Sequence, residues 1–300
     1  MECLILGAGA LGRLWAALMP HGSVAFVAKP DQSGVTCDYR LVSSDGARRP
    51  QSIPWQHLPL PGPVTALLVT TKAPDTLAAL STALQWIPDS TPVVLFQNGM
   101  GIQQAVARAY PRRPVLAAST TEGANRPVAD ELVHAGHGTT WVGPLNVTGQ
   151  HAHADVVALL SQSRLDVRAE DNIEQRLRHK LAVNAGINAF TALLDCTNGE
   201  ILTNPFYQCH IDELCTELAA WMTAEGQSTA SSELRSIIED VARATAGNTS
   251  SMRRDVQLGR GTEIDFINGY VARRCEELNL PAPVNRMLTE RVQSLANPSQ

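Results

Sequence analysis

No C-x-x-C pair occurs among the six cysteines of this 300-residue chain, which stand at positions 3, 37, 196, 209, 215 and 275. Cysteine-based zinc centres need that close spacing, so none is expected here. Cys209-His210 with Cys215 has suitable residue types at unsuitable spacing and reads as small thiols on an amphipathic helix. A chain this large has no need of a disulfide framework, and its composition suits a reducing, cytoplasmic compartment. No apolar run approaches the roughly 18 residues that a membrane span requires. The first residues run straight into Cys3-Leu4-Ile5-Leu6-Gly7 without a basic segment, so no signal peptide is expected. A long basic run is also missing. The net charge of −5, from 24 Lys and Arg against 29 Asp and Glu, argues against a general nucleic-acid binder. Neither an internal repeat nor a low-complexity linker is present. Nucleic acid, membrane and metal are therefore not expected partners.

What is present is globular: 44 % of residues are hydrophobic and 18 % charged. The length favours two domains, since domains cluster at roughly 100–200 residues. Short apolar runs at 2–7, 24–28, 66–70, 93–96 and 115–118 alternate with helical segments such as 76–86 and 102–110. That alternation predicts a doubly wound, parallel α/β sheet. Residues 35–62, rich in Pro, Arg and Ser, have room for short antiparallel strands. Beyond Asp171-Asn172 strand signals fade, and helices are predicted over 173–194, 207–225, 232–246 and 263–277. The division expected is thus residues 1–171 as a dinucleotide-binding domain and 172–300 as a helical substrate domain.

Gly7-Ala8-Gly9-Ala10-Leu11-Gly12 is a G-x-G-x-x-G turn that follows a predicted strand and opens a predicted helix. Each glycine has its own reason: Gly7 for the tight turn, Gly9 for approach of a pyrophosphate, Gly12 for close helix–strand packing. The helix N-terminus adds unpaired N–H groups and partial positive charge. An acid is usual about 20 residues on, at the end of the second strand, in NAD-binding turns. Lys29 stands there instead and suits a 2′-phosphate, which favours NADP(H); Asp31 is the competing reading. Lys72 and Asn98 follow later strands, and strand carboxyl ends are where open α/β sheets bind ligands.

Lys180, Asn184 and Asn188 repeat at i, i+4 and i+8 and so form one stripe on a helix otherwise made of apolar residues. Asn is a poor helix-interior residue, and inward polar groups cost desolvation unless something pairs with them. The stripe therefore points to a ligand, with a solvated face as the alternative. Thr197-Asn198-Gly199-Glu200 adds a turn. A second cluster spans Asn248 to Asp255 and Gly261 to Gly269. In it, Thr262 with Asp265 reads as a capping box that places Glu263 in the first turn of a helix. Spacing leaves two roles open for Glu263, support of the helix dipole or catalysis.

Together these motifs resemble the ketopantoate reductase (2-dehydropantoate 2-reductase) family over nearly the whole chain. The residues that carry the likeness are Gly7–Gly12, Lys72, Asn98-Gly99-Met100-Gly101, the Lys180/Asn184/Asn188 helix, and the stretch from Ser250 to Gly269. The resemblance implies a Rossmann domain followed by a helical domain, with the active site in a cleft between them. It implies NADPH-dependent reduction of 2-dehydropantoate to (R)-pantoate, a step toward pantothenate and coenzyme A. Lys180 would be the proton donor, with Glu263 as the second catalytic candidate. Cofactor contacts would fall on Gly7, Ala8, Gly9, Ala10, Leu11, Gly12, Lys29, Lys72, Asn98, Ala124 and Glu263. The small 2-keto acid substrate would meet Asn98, Lys180, Asn184, Asn188, Asn198, Asn248 and Ser251. The chain departs from the family pattern at Lys29, where arginine is frequent, and at Glu122, where histidine is common. Reduction of another 2-keto acid and a non-catalytic NADPH sensor stand as alternatives, and the sequence leaves monomer and homodimer both open.

Overall fold

Five short apolar runs form the centre of the first unit because every residue in them is buried, as strands covered on both faces must be. The computed structural model describes residues 2–59 and 62–296. In chain order its first unit contains β1 (Cys3–Leu6), α1 (Ala10–Leu18), β2 (Val24–Val27), β3 (Thr36–Val42), β4 (Arg48–Gln56), β5 (Ala66–Val69), α2 (Ala73–Ala83) and β6 (Val93–Leu95). There follow α3 (Ile102–Ala109), β7 (Val115–Thr120), β8 (Gly123–Asn125), β9 (Glu131–Gly136), β10 (Thr139–Pro144), α4 (Val147–Leu160) and β11 (Asp166–Ala169).

The strands join in the order β11-β10-β7-β6-β5-β1-β2-β4-β3-β9-β8. From β2 to β7 all neighbours are parallel, in register Leu6↔Val69 and Val69↔Leu95. The expected parallel sheet is thus the central part of a larger mixed one. β10 runs antiparallel to β7, and β3 antiparallel to β4. The antiparallel hairpin that residues 35–62 had room for is β3–β4. Pro50 and Pro54 lie inside β4 and blur its pattern, since proline interrupts a ladder. Trp15 on α1 is fully buried and packs against Phe96, which follows β6, with ring centres 5.2 Å apart and planes tilted by 60°. Burial of side chains this size contributes about 1.5–3 kcal/mol each.

The second unit is helical: α5 (Ile173–Leu194), α6 (Pro205–Ala224), α7 (Ser231–Ala244), α8 (Ser251–Gln257), α9 (Asn268–Glu277) and α10 (Pro283–Ala296). The two units are not consecutive stretches. Residues 98–101 cluster with 175–300, and 102–174 with 1–97, so all of α5 but its first two residues belongs to the second unit. Within the second unit Gly186 lets α7 approach α5, because a Cβ there would meet Ile238 at 2.7 Å. The buried carboxylate of Glu217 on α6 accepts from the Val284 and Asn285 backbone N–H groups at 2.7 and 3.0 Å and so caps α10. Asn285 Oδ1 in turn accepts from Asn268 Nδ2, which also donates to the Ala185 carbonyl of α5.

One expectation fails here. Thr262 and Asp265 do not form a capping box. Residues 264–266 make a single 3-10 turn, and α9 begins only at Asn268. Asp265 Oδ1 instead accepts from Gln293 Nε2 of α10 at 2.6 Å, and its carbonyl accepts from Arg273. Glu263 therefore precedes a short turn and is not in the first turn of a helix, which removes the helix-dipole reading of this residue.

Candidate active site

The turn after β1 divides its three glycines by cause. Gly7 has φ +113°, and a Cβ on it would meet Thr71 N at 2.8 Å. A Cβ on Gly12 would lie 2.1 Å from the Gly7 carbonyl oxygen. Both are required by the fold itself. Gly9 is required by neither: its φ of −73° suits any residue, and a Cβ on it would meet nothing within 4 Å. Open space before a helix N-terminus is what a bound pyrophosphate fills. Gly9 is also the N-cap of α1 and makes no side-chain capping bond, which leaves the first-turn N–H groups without a side-chain acceptor. The residues present therefore fit a dinucleotide.

The turn is held from outside. Thr70 Oγ1, at the end of β5, donates to the Gly7 carbonyl at 2.7 Å. Arg13 Nε donates to the Ala8 carbonyl at 3.1 Å, and its guanidinium lies 5.0 Å over the Tyr39 ring. Tyr39 closes the set by donating to the Arg13 carbonyl at 2.6 Å. The motif gives no sign of Arg13 or Tyr39, because their partners are reached through β3.

Parallel pairing puts the carboxyl ends of β1, β2 and β5 on one edge, so the glycine turn, Lys29 and Lys72 share that edge. Lys29 and Asp31 are both exposed, while Lys72 is half-buried and is the N-cap of α2. Ala124 lies in β8 opposite His134. Asn98 begins the segment that clusters with the second unit. There the Met100 N–H donates to the Phe266 carbonyl at 2.8 Å, and Gly99 at φ +79° leaves no room for a Cβ, which would fall 2.2 Å from that same carbonyl oxygen.

On α5, Lys180 and Asn184 are half-buried and Asn188 is buried. Burial pushes the Lys180 ammonium down to about 8, and the negative charge of Glu263 acts in the opposite direction. Glu263 is itself 9 % exposed. Two polar groups that distant sequence positions supply are thus brought together in one unit. Asn198 is buried, donates to Thr245 Oγ1 at 2.9 Å, and has a buried Oδ1 without a hydrogen-bond partner. Its backbone N–H reaches the Asn248 carbonyl at 3.1 Å, while the Asn248 residue is exposed. Ser251 is exposed at the start of α8. Its neighbour Ser250 is buried, caps α8 by accepting from Arg253 N, and lies 2.7 Å from Thr191 Oγ1 of α5. Ser250 is the serine that joins this turn to α5, a role its place in the motif did not distinguish.

Two family models match the chain. One, described as ketopantoate reductase PanE/ApbA, covers residues 3–147, and one described as its C-terminal part covers residues 172–296. The chain is 35 % identical over 296 residues to a 2-dehydropantoate 2-reductase of Vibrio cholerae, with 98 % of each chain covered. It is 34 % identical over 302 residues to one of Archaeoglobus fulgidus, covering 97 % of this chain and 96 % of that one. Among solved structures, a PanE/ApbA family ketopantoate reductase from Ralstonia eutropha aligns with TM-score 0.84 at 23 % identity over 99 % of both chains. A D-mandelate dehydrogenase in complex with NADH and anilino(oxo)acetate aligns with TM-score 0.88 at 22 % identity over 99 % of both chains. At those identities the two structures speak for the fold alone.

Proposed function

The chain belongs to the ketopantoate reductase family, and from that premise we propose that it reduces 2-dehydropantoate to (R)-pantoate with NADPH, Lys180 giving the proton. The activity is that of an oxidoreductase in pantothenate biosynthesis, and the cofactor is a nicotinamide dinucleotide. When bound, that cofactor supplies a hydride to the ketone carbon. All other steps fall to residues of the chain.

In this reading residues 1–171 form the cofactor domain and residues 172–300 the substrate domain. Gly7 to Gly12 bind the pyrophosphate through backbone N–H groups, and Lys72, Asn98, Ala124 and Glu263 complete the cofactor contacts. Lys29 meets the 2′-phosphate as a point charge; a guanidinium would meet it as a fork. Lys180 Nζ hydrogen-bonds the ketone oxygen, stabilises the charge that builds there and transfers a proton to it. Asn98, Asn184, Asn188, Asn198, Asn248 and Ser251 orient the substrate, since amides and hydroxyls fix carboxylate and hydroxyl groups without adding charge.

The observation that carries the reading is the placement of Lys180 with the buried Glu263 in one unit of a ketopantoate reductase family chain, where burial pushes the Lys180 ammonium down to about 8. An acid with a pKa near the working pH is both protonated and ready to release its proton. A pure binding protein has no use for such a group. The test follows loss of NADPH absorbance on adding 2-dehydropantoate, against a panel of other 2-keto acids and NADH. Selective oxidation with 2-dehydropantoate is expected. Turnover only on another keto acid would replace the substrate, and NADPH binding without any turnover would remove the enzymatic reading.

A further inference from the structure

Glu122, His134 and His137 bring one carboxylate oxygen and two ring nitrogens within 4.8 Å of one another in the first unit. None of the three has a part in the proposed reduction. The β8–β9 pairing makes the cluster, because Ala124 stands opposite His134 and Asn125 opposite Val133, with a register shift at Gly123/Ala124. His134 Nε2 lies 2.6 Å from Glu122 Oε2, and the two side chains are only 5 % and 2 % exposed. The His137 ring packs against the His134 ring at 4.3 Å, tilted by 59°. Ser44 Oγ lies 3.2 Å from His137 Nε2 and steadies that ring. The Glu122 backbone is fixed too, its N–H donating to Thr120 Oγ1 at 3.1 Å.

A carboxylate and a single imidazole would make an ordinary buried pair. The second imidazole, packed against the first and reachable from solvent, adds a third donor to that pair. Two imidazoles and a carboxylate are a donor set suited to Zn²⁺, Co²⁺ or Ni²⁺; Mg²⁺ and Ca²⁺ prefer oxygen alone. Zinc holds nitrogen and oxygen at about 2.0–2.2 Å, which sets its ligand atoms roughly 3–3.5 Å from one another. The 2.6 Å Glu122–His134 contact would open by somewhat less than about 1 Å, and a separation as wide as 4.8 Å would close by about 1.3–1.8 Å, a shift that the exposed His137 side chain can supply. The outer hydrogen bond from Ser44 is of the kind that metal-bound histidines carry.

We propose that Glu122, His134 and His137 form a binding site for one divalent transition-metal ion of the zinc class, with a further coordination position open on the side of exposed His137. None of its three ligands takes part in the reduction proposed above, although Ala124, one of the cofactor contacts proposed there, stands opposite His134.

The test is a titration of the full chain with Co²⁺ alone, read by the visible absorption of four- or five-coordinate cobalt, followed by displacement with Zn²⁺. One Co²⁺ per chain is expected, together with a rise in Tm. His137→Ala leaves the buried pair in place and is expected to weaken binding by more than about 100-fold, beyond the 10–100-fold typical of losing an outer hydrogen bond. Glu122→Gln keeps a hydrogen bond to His134 and should weaken binding likewise, which guards against one variant failing to fold. Absence of the low-coordinate cobalt spectrum would overturn the proposal. So would binding of unchanged strength in both variants, since the ion would then lie elsewhere, for example at Cys209-His210.

Discussion

Burial lowers the proton affinity of Lys180 by more than the negative charge of Glu263 raises it, which leaves the ammonium at a pKa of about 8. The pair unites residues 83 positions apart, one on α5 and the other just before the 3-10 turn that leads to α9. Its first consequence concerns the size of the catalytic effect. Lys180→Ala should lower kcat by about 10²–10⁴, the range for a positioned general acid. Steady-state kinetics at saturating NADPH will show it, and unchanged turnover would remove Lys180 from the proton-donor role.

The same balance sets a pH dependence. Lys180 donates only while protonated, so the rate of reduction should hold below pH 8 and fall as pH rises through about 8. Glu263 supports the charged form. Glu263→Gln therefore lowers the Lys180 pKa further and moves the break to lower pH. A pH–rate profile of both proteins checks the sign. A break that stays in place would mean that the acid titrating is another group.

The glycine turn yields a paired prediction. Gly12→Ala pushes a Cβ into the Gly7 carbonyl and should cost about 1–3 kcal/mol or more in stability, the usual penalty of overpacking. Gly9→Ala has room and an ordinary backbone, so its stability cost should stay within about 1 kcal/mol, the usual loss when alanine takes an N-cap. It should nevertheless raise KM for NADPH about tenfold or more, because a methyl group then stands where the pyrophosphate approaches. Urea melts and cofactor titrations separate the two effects.

Lys29→Ala should raise KM for NADPH more than KM for NADH, since only the former carries the 2′-phosphate. An equal rise for both would assign Lys29 a general role in attracting anions.

Ser250 links α8 to α5 through Thr191 and caps α8 as well. Ser250→Ala should cost about 1–2 kcal/mol, the upper part of the range for a lost N-cap, with the exposed Ser251→Ala near zero. Chemical denaturation of the two variants measures the contrast.

Features that depend on near neighbours in the chain were legible in the sequence. The apolar runs of β1, β2, β5 and β6 show themselves because each is buried on both faces. α5 is foreseen to the residue, since its pattern persists for 22 residues. Features that depend on distant partners were not. The capping box at Thr262 failed because Gln293, 28 residues on, takes the Asp265 carboxylate. Arg13 and Tyr39 support the glycine turn across 26 residues, with no mark in the motif. β8 to β11 escaped notice because three of them alternate or lie at an edge with little burial. The cluster at Glu122 and His134 likewise exists only once a hairpin folds.

The segment 98–101 has a consequence for how this chain can be divided. Its Gly99 and Met100 pack on Phe266, yet it is flanked on both sides by residues of the other unit. The polypeptide therefore passes from one unit to the other three times, near 97/98, 101/102 and 174/175. A single crossover that swapped everything after residue 174 for a relative's sequence would put a foreign residue opposite Gly99. Such a hybrid would inherit the carbonyl contact of Met100 only if the donor's backbone at 266 followed the same path. A shuffled library should retain function more often when 98–101 travels with the helical part.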